Sequence, residues 1–327
     1  MNKKLGNVLK YIFSFSLAAL LIWLACSGID WAEFLAGLKA TRWGWIALFF
    51  VAAVLAIVFR CLRWVQLLRP VDEHVTFRRV FDATNIGAMA SIVVPGSSEI
   101  VRCGIISRKG ASFQTVLGTI LVERAWDFVA IGVMCILTLF VGWGRFGSFF
   151  VDNIWHPVTS HKIIVWGLVA LVVLAVLLIA AIRLLRGRNS FFAKLNYYLE
   201  GFVEGIKSFA RVENKLYFLL NTLGIWAMYM LMSWLTLKAI PELSSLTLAD
   251  ALFITTVGNL ATLVPVPGGI GAYHYVLKVS LSALYGTTEE TGLLFAMLCH
   301  ELHAVAVLLL GVASYISRSF DKLKIYS

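Results

Sequence analysis

The stretch "LVERAWDFVAIGVM" places Glu123, Arg124 and Asp127 within an apolar run. Glu123 and Asp127 are four residues apart and share one face of a helix. Each ionised group near the centre of a bilayer-spanning helix costs about 2.5 to 3.5 kcal/mol on insertion scales, so three together imply internal partners or water. Arg124 can neutralise one acid and leave the other to bind a proton, a cation or a headgroup amine. The structural alternative is an ion pair that locks this helix against a neighbour. A second group, "LCHELHAVAV", sets His300, Glu301 and His303 in another apolar run. A zinc-protease helix needs its histidines four apart, and here they are three apart, so the pattern implies a proton relay or a hydrogen-bonded helix contact and no metal site.

Two further groups sit where apolar segments are interrupted. In "LVPVPGGIGAYHYV", Pro265 and Pro267 withhold backbone donors and end one half-helix. Gly268, Gly269 and Gly271 let the chain turn and are expected to expose amides at the start of the next half-helix, a setting that favours anions such as a lipid phosphate. His274, one turn further on, is a candidate headgroup contact. In "SIVVPGSSEIVRCG", Pro95 and Gly96 break the segment, and Ser97 or Ser98 is expected to cap the following helix. Glu99 falls in the first turn of that helix, and Arg102 is within reach of it three residues on. In "VFRCLRWVQLLRP", Arg60 and Arg63 are spaced to grip a phosphate where a headgroup approaches, and Trp64 is expected to anchor at the membrane interface.

The elements that position these residues are membrane helices. The chain has 327 residues, 60% hydrophobic and only 14% charged, which excludes a soluble globular protein. Its formal net charge of +10 comes from basic residues beside apolar segments, where topology and anionic lipids account for them without nucleic acid. The five cysteines form neither a disulfide framework nor a zinc pattern. The lysines ahead of the first apolar stretch mimic a signal peptide, but the further spans favour an uncleaved first helix.

Full crossings are expected at about 11–27, 44–67, 114–140, 162–183, 216–239 and 291–315. The interrupted segments, 81–107 and 250–285, are each divided into pieces too short to cross comfortably. The positive-inside rule decides how they run. If both return to their starting side, Arg60, Arg63, Arg69, Arg78, Arg79, Arg102, the basic connector at 183–215, and both termini share the cytoplasmic face. If the first segment crossed, that connector would move outside and the bias would collapse.

The fold expected is therefore a single all-α polytopic membrane domain over 1–327, with about six crossings, two re-entrant broken-helix hairpins and cytoplasmic termini. The hairpins enter from opposite faces, the arrangement of an inverted repeat around a substrate site. A shift of 172 residues superposes Val94, Pro95 and Gly96 on Val266, Pro267 and Gly268, and Thr84 on Thr256.

The order of "RCLRWVQLL", "VVPGSSEIVRCGIISRKGASFQTVLGTILVERAWDF" and "VPVPGGIGAYH" resembles the transmembrane region of lysylphosphatidylglycerol synthases, also called flippase-like integral membrane proteins. The resemblance spans nearly the whole chain. It implies a module of the prokaryotic cytoplasmic (inner) membrane that moves lipids or lipid-linked molecules, with a phospholipid or a polyprenyl- or hopanoid-type lipid as substrate. The lysyl-lipid proteins carry a following soluble aminoacyl-transferase domain. This chain ends at Ser327 after the last crossing, so a lysyltransferase activity is not expected. Ser97 and Ser98 stand where related sequences have a less polar turn, which points to a different headgroup.

The function expected is transbilayer movement of such a lipid, with no cofactor. Two alternatives are an integral-membrane headgroup transferase with His300 and Glu301 as acid and base, and a scaffold for an envelope lipid synthase. No cofactor loop, metal set or nucleophile with an adjacent base is visible to favour the enzyme. Nothing in the pattern sets an oligomeric state.

Overall fold

The structure, a computed structural model, describes residues 3–94, 96–107, 111–151, 173–174, 177, 180–184, 190–264 and 266–326. Among them the regular elements are helices, and there is no β-strand. They are α1 (Lys3–Cys26), α2 (Trp31–Ala40), α3 (Trp43–Leu68), α4 (Phe77–Val93), α5 (Ser97–Ile106), α6 (Phe113–Phe150), α7 (Ser190–Lys207), α8 (Lys215–Ala239), α9 (Leu248–Ala261), α10 (Ala272–Tyr285) and α11 (Glu289–Tyr326).

By length and composition four described helices can cross a membrane: Trp43–Leu68, Phe113–Gly144, Lys215–Ala239 and Glu289–Ser319. A fifth span is possible if Phe15–Cys26 and Trp31–Ala40, bent by 83° at their junction, count as one. The 26 residues of α3 rise about 39 Å at 1.5 Å each, more than the hydrocarbon core of about 30 Å. The crossing expected at 162–183 lies almost wholly outside the described residues, as do Pro95 and Pro265. The connector expected at 183–215 is not simply a linker: α7 lies within it and packs on α6.

Local chemistry sets several of the boundaries. The Asp30 carboxylate accepts from the amide of Ala32 at 2.8 Å and caps α2. Thr76 caps α4 through the Arg79 amide, so the first interrupted segment begins at Phe77, a few residues ahead of the expected start at 81. Asn214 caps α8 through the Tyr217 amide at 2.8 Å, and Asp250 returns to the Thr247 amide at 2.8 Å in a capping box at the start of α9.

Both interrupted segments fold as antiparallel helical hairpins. In the first, the Arg79 guanidinium donates to the carbonyls of Ile105 and Ile106 at the base, and Gly87 lies against Ser98 and Arg102 nearer the tip. A Cβ on Gly87 would come within 2.8 Å of Arg102 Cγ and 3.0 Å of the Ser98 carbonyl oxygen, so only glycine allows α4 and α5 to approach this closely. Gly96 turns the chain between them at φ 78°, a left-handed conformation that L side chains adopt at a cost. In the second, Tyr285 Oη donates to Asp250 at 3.0 Å at the base, and Gly258 lies against Tyr273 nearer the tip.

The two hairpins approach α11 from opposite ends. Arg78, at the base of the first, donates to Ser317 Oγ at 2.9 Å, and Met89 lies against Gly311. Lys278, in the second, reaches Glu289 at 2.7 Å, and the Gly268 carbonyl at its tip lies 2.9 Å from His300 Nε2. Two apolar clusters follow the same division. One joins the first halves of α3 and α11 to the second hairpin and the end of α8. The other joins the second half of α3 to the first hairpin and the start of α6. The tips are thus carried toward the middle of the bundle.

Candidate functional site

The charged residues of the first hairpin, α3 and α6 converge between the two apolar clusters. Glu123 is fully buried. It pairs with Arg102 of α5 and lies 3.4 Å from Arg60 Nε and 3.7 Å from Arg63 Nη2. Asp127, one turn on, accepts from Arg63 Nη2 at 2.7 Å and from Arg60 Nη2 at 3.2 Å. Arg124, the next residue of α6 after Glu123, donates to Glu99 at 3.0 Å. Four guanidiniums therefore face three carboxylates, one positive charge in excess. Arg102 also stacks on Trp64, with its Cζ 3.8 Å from the ring centroid, and the Trp64 indole N–H donates to Thr119 at 3.0 Å.

Several expectations are corrected here. The partner of Glu99 is Arg124, and that of Arg102 is Glu123, because α6 lies across α5 and offers opposite charge at closer range than the neighbouring turn. Ser97 and Ser98 are not caps: Gly96 occupies the cap position with no side-chain bond, and the hydroxyls belong to the first turn of α5. Arg60 and Arg63 take part in the ion-pair network, with Arg60 also lining the cavity described below, and Trp64 is fully buried instead of exposed as an interfacial anchor.

At the second hairpin Gly268, Gly269 and Gly271 all have positive φ, at 61°, 75° and 84°. The amides of Gly269 and Gly271 are directed at internal acceptors, the Val266 carbonyl at 3.3 Å and His274 Nδ1 at 3.4 Å. The amides of Gly269 and Gly271, expected to be exposed at this helix start, are thus directed within the tip, and the group it offers α11 is the Gly268 carbonyl. Pro267 begins the short 3-10 turn that carries these glycines. His274, His300 and Glu301 form one group: Glu301 Oε1 lies 3.0 Å from His300 Nδ1 and 3.4 Å from His274 Nε2. His303 turns away from it toward Tyr229, with ring centroids 6.1 Å apart.

Between the two groups lies a cavity of about 410 Å³. Arg60, Arg124 and Asp127 line one side, and Gly268, His300 and His303 another. Trp226, Tyr229, Asn259 and Tyr273 complete much of the wall and were not singled out by the sequence. Asn259, a lone amide in "TTVGNLATL", carried a usable signal. The aromatic residues carried none, since aromatic side chains are common throughout the apolar segments. Lys278 is also buried, with Nζ 3.3 Å and 3.4 Å from the carbonyls of Leu24 and Ser27, so it ties the second hairpin to the end of α1.

The family model for the lysylphosphatidylglycerol synthase TM region matches residues 9–311. Among curated relatives, a UPF0104 membrane protein of Methanothermobacter thermautotrophicus is 22% identical over 342 aligned positions, which cover 93% of this chain and 92% of that protein. Glycosyltransferase AglD of Haloferax volcanii is 25% identical over 311 positions, 83% of this chain but only 49% of that protein. No solved structure gives a significant match. With its apolar helices and a family match over most of its length, the chain is an integral membrane protein and belongs to the family of lysylphosphatidylglycerol synthase transmembrane regions.

Proposed function

We propose that the protein moves a phospholipid or lipid-linked envelope molecule across the bilayer, holding its headgroup in the cavity between the two hairpins while the tails stay in lipid. The observation that carries this reading is the cavity, with guanidiniums on one side and the tip of the second hairpin on the other. Of the guanidiniums that line the cavity, Arg60 has a buried Nε with no hydrogen-bond acceptor among the described residues, which suits a site that receives phosphate oxygens.

In this reading both hairpins are re-entrant and form an inverted repeat in a single domain of a prokaryotic cytoplasmic membrane, with both termini inside. The approach of the hairpins from opposite ends of α11 and the basic bias of the sequence support it. An envelope lipid synthase would supply the molecule moved. Protein reconstituted in vesicles of mixed phospholipid should accelerate transbilayer movement of a fluorescent headgroup-bearing lipid at least tenfold. Failure across anionic, zwitterionic and polyprenyl-phosphate lipids would overturn the proposal.

The likeness to part of a glycosyltransferase favours a second reading, an integral-membrane step on a lipid headgroup with His300 and Glu301, 3.0 Å apart, as acid and base. It requires a chemically altered lipid in mass spectra of membranes that contain the protein, and unaltered lipids would exclude it.

A further inference from the structure

Glu301 lies within the Glu289–Ser319 span, where an ionised carboxylate is costly and needs a compensating charge. Among the described residues, the charged or titratable groups in contact with it are two histidines, one from its own helix and one from α10. A ligand atom from each of His274, His300 and Glu301 lies within 4.8 Å of the others. Ligands at the usual 2.0 to 2.2 Å from a tetrahedral zinc ion are separated by about 3.4 Å, and Glu301 Oε1 lies 3.0 Å from His300 Nδ1 and 3.4 Å from His274 Nε2. Three electron-pair donors so close together repel one another unless a cation or a proton stands between them.

The surroundings favour a metal ion. His300 Nε2 is 2.9 Å from the Gly268 carbonyl. That bond puts the ring proton on Nε2 and leaves the Nδ1 lone pair facing Glu301, the outer-sphere arrangement common to metal-bound histidines. The Gly271 amide is directed at His274 Nδ1 across a long contact of 3.4 Å, so ligation of a metal by Nε2 moves the ring proton to Nδ1 and opens that weak contact. The Tyr273 ring packs at 5.1 Å from that of His300 and restricts its rotation. Two imidazoles and a carboxylate suit zinc(II), with a fourth position for water.

We propose that His274, His300 and Glu301 bind one divalent transition-metal cation, zinc(II) by ligand type, which fastens the second hairpin to α11 beside the cavity. The site is not assembled by any local motif: His274 lies 26 residues before His300 in the sequence and on a different helix.

The test uses full-length protein, free of any histidine tag, purified in detergent and dialysed against zinc(II). Elemental analysis should find close to one zinc per chain, and cobalt(II) in its place should give a visible spectrum of nitrogen and oxygen ligation. His274→Ala and Glu301→Gln should each weaken zinc binding at least tenfold, and His303→Ala, outside the triad, should leave it unchanged. Glu301→Gln keeps the shape of the side chain, so it reports ligation even if His274→Ala fails to fold. Zinc should also raise the Tm of the parent protein and not that of Glu301→Gln. Substoichiometric zinc, or zinc retained in folded Glu301→Gln, would overturn the proposal. The measurement needs no lipid movement, so its failure would leave the transport reading standing, and the reverse holds as well.

Discussion

Arg102 of α5 and Glu123 of α6 form an ion pair at the centre of the protein, with residue exposures of only 2% and 0%. The pair joins the first hairpin to a crossing helix, and Arg60 and Arg63 extend it to α3. Buried ion pairs of this kind contribute little net stability compared with apolar packing, but removal of one partner leaves an uncompensated charge.

Glu123→Ala is therefore expected to destabilise the folded protein by about 3 to 5 kcal/mol, since it strands the buried Arg102, whereas Arg63 keeps Asp127. Glu99→Ala removes a pair whose side chains are 30% and 40% exposed, and should cost about 1 kcal/mol or less. Thermal unfolding of both variants in one detergent would rank them, and the reverse order would refute the assignment of Glu123 as the hub.

Gly271→Ala should be more damaging than Gly286→Ala, although both glycines have positive φ. A Cβ at 271 would come within 2.8 Å of the Ile22 amide nitrogen and 3.0 Å of the Ala18 carbonyl oxygen in α1, whereas one at 286 would meet open space. Each substitution costs roughly 1 to 2 kcal/mol in backbone strain, and Gly271→Ala adds the displacement of α1. Equal Tm losses would argue against that close contact.

Filling the cavity should slow lipid movement without unfolding the protein. Asn259→Trp places a large side chain in the wall opposite Arg60 and Arg124. Transport in reconstituted vesicles is expected to fall at least tenfold, with little change in Tm. Undiminished transport would place the lipid path elsewhere.

Re-entry of the hairpins can be read from single cysteines introduced in a background free of the five native ones. Cysteines at Glu73 and Ser112, on either side of the first hairpin, should react with an impermeant thiol reagent from the same face of the membrane. Cysteines at Ser245 and Thr288, on either side of the second, should react from the opposite face. Opposite reactivity within either pair would mean that the segment crosses.

Much of the fold was legible because its causes are local. A run of apolar residues long enough to span hydrocarbon specifies a helix wherever it occurs, and α3, α6, α8 and α11 begin within a few residues of the expected positions. The breaks at Val94–Gly96 and around Gly268 follow from proline and glycine chemistry, with Gly96 at φ 78° and Gly268 at φ 61°. The helix-scale spacing of Glu123 and Asp127 also identified a face that needs charged partners, because the cost of burying charge does not depend on which partner is found.

Partner choice belonged to the tertiary structure. Spacing along α5 suggested Glu99 for Arg102, but side chains three residues apart on one helix only lie near each other, and the packing of α6 across α5 supplied Glu123 at closer range. Arg60, Arg63 and Trp64 had the composition of an interfacial segment, and only the packing of α3 against α6 and α8 buried Arg63 and Trp64. His274 joined His300 and Glu301 because two helices cross there, a coincidence in space that no sequence period encodes. The sequence by itself determined where the helices form and where they break. Which charges meet at the centre depended on how those helices pack, since a long-range contact is set by the geometry of the whole bundle and not by the residues on either side of it.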